Sequence, residues 1–100
     1  MLHMVVATHG PDRCPMTDPA LAQKLLTANQ RMGDVTQKLG VTLQGSWTNM
    51  PAHTTFMLVD APNAHVVDQM AIELKLMDWN TIRVYAVVTM QEAMAHLRQI

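Results

Sequence analysis

One hundred residues make a single domain, of a size that buries roughly two-thirds of the surface its unfolded chain would expose. Seven basic against eight acidic residues leave a net charge of -1. No run of Lys or Arg could follow a phosphate backbone, so nucleic acid is not an expected partner. A lone cysteine cannot close an internal disulfide, and the opening "MLHMVVATHG" lacks both a basic leader and an A-x-A site. No apolar stretch approaches the ~18–20 residues of a membrane span, so the expectation is a cytoplasmic protein with no membrane partner. Ten methionines against 4% aromatic residues predict an adaptable core.

The segment from Leu2 to His9 is rich in β-formers and stops at Gly10-Pro11, which predicts a first strand. Next comes a turn-rich stretch, "THGPDRCPMTDP" (8–19), which holds the only cysteine, three prolines and a cation, Arg13, that reads as solvated. Asp18 then suits a helix N-cap and Pro19 the first helical position. Leu21, Leu25, Ala28, Met32, Val35 and Leu39 form one helical stripe that Gly40 closes. Two strands follow, "VTLQGSWT" (41–48) and "HTTFMLVD" (53–60), joined by "NMPA". Asn63 can cap a second helix marked by Val67, Met70, Leu74 and Met77. "TIRVYAVVT" (81–89) is the fourth strand, and Thr89 with Glu92 has the form of a capping box opening a short C-terminal helix.

The order βαββαβ predicts an α+β, ferredoxin-like sandwich: two helices on one side of a four-stranded antiparallel sheet in the order 4-1-3-2. Strand alternation sorts the residues onto two faces. Leu2, Met4 and Val6 with Phe56 and Leu58, and Ile82, Val84, Ala86 and Val88, form the more apolar set and are expected under the helices. The open face then carries His3, Val5, Ala7 and His9; Leu43, Gly45 and Trp47; His53, Thr55, Met57 and Val59; and Arg83, Tyr85 and Val87. So apolar a face calls for a cover, and a second copy of the chain is the economical one. Pairing strands 1 and 3 with Ala7 opposite Thr55 and Val5 opposite Met57 brings His9 beside His53.

The element order, "KLG" (38–40) ahead of a strand, "FMLVDAPN" (56–63) and "IRVYAVVTMQEAM" (82–94) resemble the dimeric α/β-barrel superfamily. That group includes GYD-domain proteins, muconolactone isomerase, stress-responsive barrel domains and antibiotic-biosynthesis monooxygenases. The resemblance covers nearly all of residues 1–89, and no catalytic motif of one member stands out. It implies a homodimer whose sheets enclose a barrel, with a small-molecule pocket within the barrel or between sheet and helices.

The ends of strands 1 and 2 and the starts of strands 3 and 4 meet at one edge, so His9, Trp47, His53 and Arg83 converge there. The loop 10–19 leaves from the same edge and can cover it. His9 and His53 are the candidate catalytic pair, because imidazole exchanges protons near neutral pH. Two hydrogen-bonded strand-end histidines, or metal ligands, are the other readings, and no H-x-x-x-H or C-x-x-C spacing directs them to a metal. Arg83 can grip a carboxylate through its guanidinium fork, and Trp47, Tyr85 and Met57 are candidate walls of a ligand pocket or anchors of a dimer. Cys14 reads as a small buried hydrophobe or as a nucleophile activated by His9 or Arg13. A methionine-based copper site has no M-x-x-M cluster beside a histidine to carry it. These residues suit a cofactor-independent isomerase or oxygenase acting on a small aromatic or lactone-like acid. They equally suit a non-catalytic ligand-binding or accessory protein, or a metal or haem binder using His9, His53 or Cys14.

Overall fold

A computed structural model describes residues 1–100. Its strands are β1 (Leu2–Thr8), β2 (Thr42–Asn49), β3 (Thr54–Asp60) and β4 (Thr81–Val87). Its helices are α1 (Pro19–Leu39), α2 (Ala64–Glu73) and α3 (Met90–Leu97). The four strands form one antiparallel sheet in the order β2-β3-β1-β4, the ferredoxin-like arrangement. No helix is long and apolar enough to cross a membrane.

The helix ends follow the local chemistry. The Asp18 carboxylate accepts from the N–H groups of Ala20 and Leu21, which contributes about 1 kcal/mol at such a cap. Gly40 stops α1 in the left-handed conformation, φ 70°, with its N–H donating back to the last turn. Asn63 caps α2 through the Val66 N–H, and Thr89 caps α3 through the Glu92 N–H. On α1 the buried residues Leu21, Ala28 and Val35 recur every second turn, so one narrow stripe meets the sheet. Met70 and Val67 of α2, both fully buried, fill the middle of the same layer.

The pairing of β1 with β3 is as expected, Val5 opposite Met57 and Ala7 opposite Thr55. The faces are reversed on these two strands. His3, Val5, Ala7, Met57 and Val59 are buried beneath the helices, while Leu2, Met4, Val6, Phe56 and Leu58 stand on the open side. The cause is the neighbouring strand. Val5 pairs with Val84 and Ala7 with Ile82, so odd positions of β1 share a face with even positions of β4. Ile82 and Val84 pack against the core as expected, and they bring Val5 and Ala7 with them. A bulge between Leu43 and Gly45 splits the expected β2 set. Leu43, opposite Val59, joins the core, while Gly45 and Trp47, opposite Leu58 and Phe56, lie on the open face. A Cβ on Gly45 would stand 2.6 Å from the Trp47 ring, so the absent side chain lets the indole fold back over the strand.

Candidate metal centre

The edge where β1 ends and β3 begins carries a cluster of three donors. The His9 N–H donates to the His53 carbonyl at 3.1 Å, extending the β1–β3 ladder by one pair beyond Thr8 and Thr54. The two imidazoles therefore meet edge to face, with centroids 5.2 Å apart. His53 closes the hairpin turn: its N–H donates to the Met50 carbonyl, and its φ of 51° is left-handed. Asn49 fixes the same turn by accepting from the Ala52 N–H at 3.0 Å. Trp79, itself buried, stands 5.3 Å from His9 and walls the cluster on the β4 side.

Cys14 comes from the loop between β1 and α1. A single 3-10 turn, Pro11–Arg13, folds the chain back, and Thr17 and Asp18 donate their N–H groups to the Cys14 carbonyl. Arg13 is not merely solvated. Its guanidinium donates to the Asp78 carbonyl at 2.9 Å and straps the loop to the turn preceding β4. The thiol is buried, and its sulfur and one nitrogen of each imidazole all lie within 4.8 Å of one another. His9 Nε2 and His53 Nδ1 are buried with no hydrogen-bond partner. Buried polar atoms are nearly always paired. His3 Nε2 and Glu73 Oε2 are also without partners, but only the His9 and His53 nitrogens belong to imidazoles clustered with a thiol.

The cluster opens into a cavity of about 360 Å³ beneath the loop, lined by Pro11, Met16, Thr48, Met50 and Trp79 among others. No Lys, Arg, Asp or Glu lines it. Of the residues read from the sequence, His9 and His53 meet at this cavity, with the loop over it. Arg83 and Tyr85, opposite Val6 and Met4, lie on the far face of the sheet with Trp47. Met57 is on the near face but lines a separate, smaller cavity of about 130 Å³. Met16, Met50 and Trp79 were not singled out as site residues. "CPM" (14–16) and "MPAH" (50–53) were the available signals, each placing a thioether close to an imidazole or thiol.

The family model described as "Domain of unknown function (DUF3303)" matches residues 1–100. The chain belongs to the DUF3303 family. No curated protein matches it significantly. Among solved structures, this DUF3303 protein is similar in fold to SCO4226 from Streptomyces coelicolor A3(2), at 18% identity and a TM-score of 0.61, over 87% of this chain and 96% of the other. At that identity the likeness concerns the fold, and the ferredoxin-like architecture is common to both.

Proposed function

We propose that this DUF3303 protein binds a transition-metal ion through His9, Cys14 and His53. The observation that carries the reading is a buried thiol and two imidazoles whose donor atoms lie within 4.8 Å of one another, each imidazole also keeping a buried ring nitrogen without a partner. Imidazole and thiolate are the donors borderline and soft metals prefer. Donors bonded at ~2.0–2.3 Å in a trigonal set stand ~3.5–4 Å apart, so donors within 4.8 Å need draw in by only about 1 Å. Two of the three sit in turns that can supply that movement. The cavity above the cluster also falls in the size range of small-molecule sites, roughly 300–1,000 Å³, leaving room for an organic ligand. Action on a small acid has less support, because the cavity lining offers no cation and Arg83 is on the other face.

A homodimer joined through the open faces is the second part of the reading. Trp47 and Tyr85 are 56% and 49% exposed beside Met4, Val6, Phe56 and Leu58, a patch of the kind that marks an interface. α3 buries none of its residues, although Met90, Met94 and Leu97 give it an apolar side. The protomer is correspondingly extended: its radius of gyration is 15.0 Å against ~13 Å for a compact chain of this length. A partner with the same sheet would cover the open face, in the manner of the dimeric α/β barrels.

The metal reading is tested by equilibrium dialysis of the reduced full chain against Co(II) or Zn(II), with elemental analysis. One ion per chain is expected, with a thiolate charge-transfer band in the Co(II) form. Cys14→Ser and His53→Ala should each lower affinity by more than the ~10–100-fold typical of losing a residue that only supports a ligand. No uptake by the wild type, or equal uptake by the variants, would defeat the assignment.

A further inference from the structure

We infer that the ion this site is built for is monovalent copper, with the thioethers of Met16 and Met50 as additional donors; the inference rests on the metal-centre reading above. Charge is the first argument. A thiolate and two neutral imidazoles carry one negative charge, and no other ionised side chain lines the cavity. Cu(I) makes a neutral complex there. A divalent ion leaves one positive charge against an apolar wall, and neither imidazole has a carboxylate hydrogen-bonded to its other nitrogen to offset it.

Softness points the same way. Three protein ligands beside a cavity suit catalytic zinc with a water as well as Cu(I), so donor number does not separate the two ions, whereas thiolate and thioether are the donors that select Cu(I). Cys14 supplies the thiolate beside the imidazoles of His9 and His53. Met16 and Met50 line the same cavity, and at 65% and 56% exposure they stand on its solvent side. Each shares a turn with a donor: Met16 lies two residues beyond Cys14 across Pro15, and Met50 begins the turn that His53 ends. The absence of an M-x-x-M run along the chain is therefore no obstacle, because the fold brings two methionines to the cavity of the histidines from separate loops. Exposed thioethers at the mouth of a thiolate site are placed to receive a soft ion and pass it inward.

The test is an anaerobic titration of the reduced, metal-free full chain with Cu(I) buffered by bicinchoninate, run beside a Zn(II) titration against a chromophoric chelator. One Cu(I) per chain is expected, with an ultraviolet thiolate-to-Cu(I) band that Cys14→Ser removes. The double variant Met16→Leu, Met50→Leu, which removes two proposed donors, should bind Cu(I) more weakly by at least about tenfold, with a smaller loss of Zn(II) affinity. Both methionines are exposed, so circular dichroism should register no change of fold. Cu(I) affinity equal to wild type in that variant, or preferential retention of Zn(II) by the wild type, overturns the copper assignment and leaves the metal centre standing. Failure to take up either ion overturns both.

Discussion

Phe56→Asp is expected to convert a dimer into a monomer of 11.2 kDa by light scattering. Phe56 sits on β3 with Val6 on one side and Trp47 on the other, at the middle of the open sheet face. A carboxylate there would have to be buried without a cation between two apolar sheets, which a marginal interface cannot absorb. The helix side of the sheet is untouched by the change, so the monomer should keep its circular dichroism spectrum. A wild-type protein that runs as a monomer, or a variant that stays dimeric, would rule out pairing through this face.

Met70→Ala should produce one of the larger losses of stability available to a single truncation in the core. Met70 is fully buried and is the bulkiest of the completely enclosed side chains. Truncations of this kind cost about 2–5 kcal/mol, the spread reflecting how far the neighbours collapse. Against a total of about 5–15 kcal/mol for a domain, and about 4–8 °C per kcal/mol at this size, the melting temperature should fall by roughly 10 °C or more. A fall of only a few degrees would mean that the neighbours collapse into the gap. Methionine flexibility could contribute little to that, because Met57 is the only other buried methionine and six of the ten are exposed, against the adaptable, methionine-filled core the composition predicts.

Much of the fold was legible because its signals are local. Asp18-Pro19 and Gly40 bracket α1, and Asn63 and Thr89 open α2 and α3, each through its own side chain or backbone. The β1–β3 register could be read as well, and it brought His9 to His53. The facing of the sheet could not be read strand by strand. Both alternating sets of β1 are apolar, so the choice between them rests on the pairing with β4, a non-local fact. That single choice moved the candidate site. With the odd face taken as open, strand alternation places Arg83, Tyr85 and Trp47 on one wall with the histidines. In the fold, the loop from β1 must climb to α1, so it carries Cys14 over the helix-side rim and leaves those three residues behind on the other face. The donor cluster was hidden for the same reason, since its three members are distant in sequence and meet only when the loop and the hairpin turn are both placed.

The three donors of the candidate centre belong to separate pieces of the chain: the end of β1, the loop before α1 and the turn between β2 and β3. An ion held by all three would be a removable cross-link, present only when supplied. By mass action it would add about 2.7 kcal/mol to the folded state at a free concentration one hundred times the dissociation constant. For a small domain that increment separates a chain that opens often enough to be cut by proteases from one that seldom does. The quantity of this protein surviving in a protease-containing mixture should therefore follow the supply of its ion, with no change in how much is made.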